Sequence, residues 1–331
     1  MSAEMNGKSV LVTGAGGFIG SHLTEALVHA GARVRALVHY NSRSDWGHLE
    51  SLDPRVREAL EVMAGDVRDP FYVAEAAKGV EVIFHLGALI PIPYSYRAPQ
   101  EYIDTNIRGT LNVLEAARRH GTSRVLHTST SETYGTALYT PIDEKHPLQG
   151  QSPYSASKIG ADKLAESYWC SFGTPVVTVR PFNTYGPRQS ARAFLPTVLS
   201  QALTLDVVRV GSLDPVRDMN YVEDTVDGFL RAAAAPGIEG QVLNLGSGRG
   251  VRMGELLDLA IKATGRRVRV EHDAGRVRPE KSEVMQLICD ASRARAALGW
   301  QPRVTLEEGV ARTASWIADH LPDYKPHLYN V

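Results

Sequence analysis

Cysteine is scarce in this 331-residue chain. The two present, Cys170 and Cys289, form neither a disulfide framework nor the paired spacing of a zinc site. Charge of one sign is also lacking: 36 Lys and Arg oppose 37 Asp and Glu, for a formal charge of −1. No basic excess is available for a phosphate backbone, so no nucleic-acid partner is expected. No apolar run approaches the roughly 20 residues that span a bilayer, which argues against a membrane partner. Residues 1–9 lack the apolar stretch of a secretory signal; together with the unpaired thiols, this makes the cytoplasm the expected compartment. The eleven histidines fall at no ligand-gathering spacing, so no metal is expected.

What is present is ordinary globular material, 43% apolar and 22% charged, long enough for a large core with a smaller lobe attached. Short β-branched runs occur at Lys8–Thr13, Arg33–His39, Val82–Leu86, Arg124–Ser129 and Val176–Arg180. They alternate with stretches of helical periodicity such as Phe18–Ala30, Glu101–His120 and Tyr154–Phe172. That alternation predicts βαβ units and an α/β fold, a Rossmann-like doubly wound parallel sheet. Gly31, Gly121 and Gly173 stand where those helices should stop. Beyond Asn183 the rhythm weakens until Thr305–His320, which reads as a closing helix. The expected division is a sheet-bearing domain over 1–182, with 222–247 returning to it, and a smaller, discontinuous C-terminal lobe from 183–221 and 248–331.

Between the first strand and helix stand Gly14, Gly17 and Gly20. Glycines there let backbone N–H groups, those of Phe18 and Ile19 among them, meet a pyrophosphate at a helix N-terminus. A turn that is merely tight would use glycine too, so this motif alone leaves both readings open. The second strand ends near Val38, where NAD-selective enzymes place an acid on the adenosine ribose. Val38–Arg43 carries no acid, so a ribose phosphate would meet no repulsion and could find Asn41, Ser42 or Arg43; a solvated Arg43 beside NAD is the alternative.

Tyr154 and Lys158 fall one helical turn apart on one face. A nearby ammonium favours phenolate over phenol and brings tyrosine toward the range of a general base. Thr130, Ser131 and Glu132 follow the fifth strand, at the carboxyl edge where open α/β sheets bind ligands. His127, inside that apolar strand, reads as a buried structural residue. Asn106, a poor helix former in a predicted helix, reads as water-mediated support, a kink or a satisfied core amide.

The G-x-x-G-x-x-G of Gly14–Gly20, Gly65-Asp66-Val67, His85-Leu86-Gly87-Ala88, Thr130-Ser131-Glu132 and Tyr154-x-x-x-Lys158 together resemble extended short-chain dehydrogenases/reductases of the nucleotide-sugar epimerase/dehydratase family. The likeness runs over nearly the whole chain. It implies a tightly bound NAD(P), with Asp66 and Val67 at the adenine and Leu86 and Ala88 beside the nicotinamide half. It implies that Tyr154 takes the proton of a sugar 4-hydroxyl, that Lys158 also holds the nicotinamide ribose, and that Thr130 donates to the oxygen being oxidised.

The wider stretches Thr130–Gly135, Pro141–Tyr154 and Arg180–Arg192 are most similar to GDP-mannose and NDP-N-acetylglucosamine type 4,6-dehydratases. That likeness makes Glu132 the base that removes the C5 proton as water leaves C6, yielding a 4-keto-6-deoxy sugar. GDP-mannose 4,6-dehydratases use NADP and look similar around Val38–Arg43, which favours NADP slightly over NAD. Ser131 stands where dTDP-glucose 4,6-dehydratases carry an aspartate that protonates the leaving hydroxyl, so another group, or Glu132 itself, must do so. UDP-glucuronate decarboxylases share the Thr-Ser-Glu triplet and 4-epimerases share the oxidation, so both stay open; a non-catalytic NAD(P)-sensing module is the distant alternative. The resemblance further implies a nucleotide-diphosphate sugar as partner, contacted by Asn183, Arg217 and Arg278 ahead of Arg188 and Arg192. Arginine's planar donors suit phosphate oxygens. A homodimer through the helices over 106–120 and 154–172 is implied as well.

Overall fold

The computed structural model describes residues 2–328. Its central sheet contains β1 (Ser9–Thr13), β2 (Arg33–His39), β3 (Leu60–Gly65), β4 (Val82–His85), β5 (Arg124–Thr128), β6 (Val176–Pro181) and a seventh strand, Val242–Leu245. In space the order is Val242–Leu245, β6, β5, β4, β1, β2, β3. Every pairing is parallel, and Val12 of β1 lies between Ala36 of β2 and Phe84 of β4. β4 and β6 are buried at every residue, as strands covered on both faces require. The winding reverses between β1 and β4, so a crevice opens at their carboxyl ends.

β3 is absent from the reading by periodicity. It is the edge strand, half-exposed, and Glu61, Ala64 and Gly65 are weak strand formers. The single helix expected over Glu101–His120 is also more divided: Pro99–Tyr102, a π-helical turn Ile103–Arg108, then Gly109–His120.

Helix Pro153–Phe172 has clear local causes. Ser152 Oγ accepts from Ser155 N at 3.0 Å, Ser155 Oγ accepts from Ser152 N at 2.9 Å, and Pro153 occupies the first turn. Gly173, at φ 65°, ends it. Tyr154 and Lys158 therefore sit in the first two turns of a well-anchored helix.

Outside the large sheet, Val216–Tyr221 pairs in parallel with Asn183–Tyr185 and Gln286–Leu287, and antiparallel with Gly250–Arg252. Val207–Val210 pairs with Arg269–His272. Helix Val222–Ala234 packs back on helix Phe18–His29 and the sheet before Val242–Leu245 begins. One core therefore joins Leu23, Leu27 and Phe229 to Leu256, Val310 and Ile317 from the later segments. Each such side chain contributes roughly 1.5–3 kcal/mol on burial. A second core, with Val73, Ile83, Val113 and Leu114, covers the other face. Among the described residues no helix is long and apolar enough to cross a membrane, and no three metal-ligating side chains gather.

Candidate active site

A cleft of about 700 Å³ opens at the carboxyl ends of β1 and β4. Its floor is the turn after β1. A Cβ on Gly14 would lie 2.9 Å from Gly87 N, one on Gly16 2.4 Å from the Trp46 carbonyl, and one on Gly20 2.1 Å from the Gly14 carbonyl. These are backbone contacts that cannot yield, so only glycine lets the turn close. Helix Phe18–His29 begins at Gly17, which has no side chain to cap it, and Phe18 and Ile19 line the cleft at its uncapped end. An uncapped helix start above a cradle without Cβ atoms fits a dinucleotide pyrophosphate. Leu86 and Ala88 form the adjoining wall. A neighbouring cavity of about 290 Å³ is lined by Asp66 and Val67. Asp66 is gripped there by Arg68, with Nη2 2.6 Å from Oδ2, and that hydrogen bond holds its carboxyl below the usual range.

Asn41 lines the cleft, but its polar atoms serve its own loop. Its Nδ2 donates to the Asp45 carbonyl at 2.7 Å, and its Oδ1 accepts from Arg43 N and Asp45 N, each at 3.1 Å. Ser42 and Arg43 are exposed and line neither cavity. Asp45 and Trp46, which sequence reasoning passed over, do line the cleft. The signal was Asn41 itself: such a residue folds the chain back within a few positions and brings later residues to the strand end.

Tyr154 and Lys158 are 7% and 4% exposed, and both line the cleft with Thr130, Ser131 and Glu132. Lys158 Nζ donates to the Thr128 carbonyl at 2.6 Å, and burial lowers its ammonium to about 8. Burial pushes the Tyr154 phenol up, a hydrogen bond with Thr130 pulls it down, and the Glu132 charge raises it further. The expected lowering by Lys158 is thus corrected: in the chain alone, desolvation dominates and the lysine spends a donor on Thr128. Thr130 Oγ1 also accepts from Glu132 N at 3.2 Å, which fixes the strand end.

Asn106 is a satisfied core amide set in the π-helical turn. Its Oδ1 accepts from Leu89 N at 2.8 Å, and its Nδ2 donates to the Leu89 carbonyl and Ser157 Oγ, each at 2.9 Å. It ties the exit of β4 directly to the helix of Tyr154. His127 lies outside the cleft, its Nε2 3.0 Å from Asp162 Oδ1, and Asp162 also binds Ser129 and Arg180.

On the opposite wall, Asn183, Arg192 and Arg278 line the cleft. Asn183 Oδ1 is buried without a hydrogen-bond partner. Arg217 lies behind that wall, buried, and lines neither cavity. It shares Glu283 Oε1 with Arg278, at 3.1 and 3.6 Å, and the Glu132 carboxylate acts on it as well. Arg188 is the clearest departure from expectation. It lines neither cavity, and its Nη2 turns away to Glu25 Oε2 at 2.8 Å. The apolar wall Ile90–Pro93 was not anticipated either, since nothing in its sequence marks it as part of a site.

The GDP-mannose 4,6 dehydratase family model matches residues 11–313. A UDP-glucose 4-epimerase of Mycolicibacterium smegmatis is 34% identical over 315 residues, 92% of this chain and 97% of that one. A dTDP-glucose 4,6-dehydratase of Actinoplanes sp. is 32% identical over 318 residues, 93% of this chain and 97% of that one. The dTDP-glucose 4,6-dehydratase DesIV from Streptomyces venezuelae, solved with NAD bound, aligns with a TM-score of 0.85 at 28% identity, covering 96% of this chain and 99% of that one. With the dinucleotide cradle and the Tyr154–Lys158 pair already in place, the chain belongs to the GDP-mannose 4,6 dehydratase family, the nucleotide-sugar dehydratases and epimerases of the extended short-chain dehydrogenase/reductase type.

Proposed function

We propose that this chain is a nucleotide-sugar 4,6-dehydratase acting on an NDP-hexose or NDP-N-acetylhexosamine. The observation that carries the reading is that Glu132, a carboxylate, lines the same cleft as Tyr154, Lys158 and Thr130. An oxidation alone has no need of a second base. NAD, which the glycine turn would hold, would supply the acceptor and later donor of a hydride, and its positive charge would favour the phenolate that burial opposes. Tyr154 takes the 4-hydroxyl proton while Thr130 orients the same oxygen. The resulting ketone acidifies C5, and Glu132 removes that proton as the C6 hydroxyl leaves. Ser131 cannot act as a carboxylic acid would, so Glu132, having just gained a proton, returns it to the departing hydroxide; with the hydride back on C6, C5 takes up a proton equivalent to the one Tyr154 removed from the 4-hydroxyl, and the net loss is one water. Asn183, Arg278 and, from behind, Arg217 hold the diphosphate, with Arg192 at the same wall. Arg188 takes no part in that contact.

The cofactor in this reading is NAD, against the slight preference for NADP drawn from Val38–Arg43. Asp45 puts a carboxylate in the wall beside Asn41, whereas the cation Arg43 lies outside it. A ribose phosphate would be repelled there. Trp169 and Phe172, exposed at 38% and 56%, support a homodimer through their helix.

A second reading, uronate decarboxylation, is favoured by Arg192, which stands in the cleft bonded to Ser190 rather than to an acid and would suit a sugar carboxylate. Incubation with UDP- or GDP-linked N-acetylglucosamine and with UDP-glucuronate separates the readings by product mass. Loss of water supports the dehydratase, loss of carbon dioxide the decarboxylase, and an unchanged mass with inversion at C4 an epimerase. Glu132→Gln is expected to reduce bound NAD normally on substrate addition yet release no water; a normal product from that variant would remove Glu132 as the base.

A further inference from the structure

We infer that Arg188 is a positioning residue through which the cofactor-binding elements fix the substrate wall at Gln189–Arg192, an inference that rests on reading this cleft as a sugar-nucleotide site. The turn that carries it is strained. Gly186 has φ 151° and Arg188 φ 65°, and a left-handed conformation is disfavoured at a non-glycine residue. Such a conformation persists only when its surroundings over-determine it.

Three residues from the cofactor side do so. His22 Nε2 lies 3.0 Å from the Pro187 carbonyl, and because a carbonyl only accepts, the ring must donate. The His48 ring lies close to Arg188 and feels both its charge and its carbonyl. Glu25 Oε2 takes the guanidinium at 2.8 Å. His22 and Glu25 belong to helix Phe18–His29, whose start faces the cofactor cradle, and His48 N donates to the Gly16 carbonyl at 3.0 Å inside that cradle. Burial, then the charge of Arg188, keeps both histidines below their ordinary range, so at neutral pH His22 holds the Pro187 carbonyl as a neutral ring. From the other side, Tyr324 Oη donates to the Gln189 carbonyl at 2.9 Å. The next side chains, Gln189, Ser190 and Arg192, then enter the cleft.

Stability alone is a poor account of this arginine. Its Nε and Nη1 are buried without hydrogen-bond partners, a cost that an apolar side chain would not incur. What Arg188 supplies is a fixed turn, joined to the helix that starts at the dinucleotide.

The test compares NAD-loaded Arg188→Met, Glu25→Gln and Arg188→Lys enzymes with the unmodified protein. For the Met and Gln variants we expect NAD content and Tm close to the parent, KM for the sugar nucleotide raised ~10-fold, and kcat within about threefold, equivalent to roughly 1.4 kcal/mol lost from binding. Lysine, which keeps the charge on Glu25, should recover part of the KM. Hydrogen exchange at 186–192 reads the clamp without any substrate and should quicken in the Met and Gln variants. Folded variants with parental KM and parental exchange overturn the proposal. So does a KM rise that appears only together with lost NAD and lowered Tm, since that is the signature of a general structural role. Should the parent protein turn over no sugar nucleotide, the functional reading fails by itself, and exchange still decides for or against the clamp.

Discussion

On the cofactor side of the cleft, the turn Gly14–Gly20 works through backbone: uncapped N–H groups, and contacts so close that a single added carbon meets a carbonyl or an amide. On the proposed substrate side, Arg217 and Arg278 offer charge, both paired with Glu283. The first arrangement is fixed once the parallel sheet has formed. The second rests on short strands and side chains whose ion pairs can be exchanged for a ligand's oxygens. Substitutions in the first should change what the protein is; substitutions in the second should change how tightly it holds a substrate.

The largest expected effect lies where the two walls meet. Tyr154→Phe removes the proposed proton acceptor while leaving both walls intact, so turnover should fall ~10³-fold with NAD and sugar nucleotide still retained, as measured by steady-state rates and by mass analysis of copurified ligands. Arg278→Met tests the charged wall. Losing a charge-assisted hydrogen bond worth about 1.5–3 kcal/mol should raise KM ~10- to 100-fold at unchanged NAD content; a variant that instead sheds NAD would break the contrast. Asp45→Ala sharpens it from the other side: acceptance of NADP relative to NAD should rise ~10-fold, with KM for the sugar nucleotide unmoved. The smallest effect concerns His22, whose pKa falls from 6.5 to about 4 through burial first and the charge of Arg188 second. The unfolded chain binds this proton more readily, so stability is complete above about pH 6.5 and drains away as the pH drops toward 4. Thermal melts across that window should show a slope that His22→Gln flattens.

The parts legible in sequence are those whose causes are local. Buried parallel strands such as β4 and β6 announce themselves as apolar runs, and Gly121 and Gly173 stop their helices at φ 65° as glycines do. Tyr154, Lys158, Thr130 and Glu132 were readable because their spacing is set by one helix and one strand end. The illegible parts depend on distant partners. Edge strand β3 has neither the run nor the strict alternation that marks a strand. Asp45 reaches the cleft only because Asn41 bends its loop. The direction of Arg188 is decided by Glu25, 163 positions earlier, and no local pattern encodes a left-handed arginine.

The π-helical turn Ile103–Arg108 holds its surplus residue at some cost in hydrogen-bond geometry. Were the same residues wound as an ordinary α-helix, everything upstream would rotate by about 100° around the axis. Tyr102, now edge-on to the Tyr154 ring at 6.2 Å and bonded to the Pro91 carbonyl at 2.5 Å, would swing out of register with both. The wide turn is therefore what keeps Tyr102 facing the helix of Tyr154.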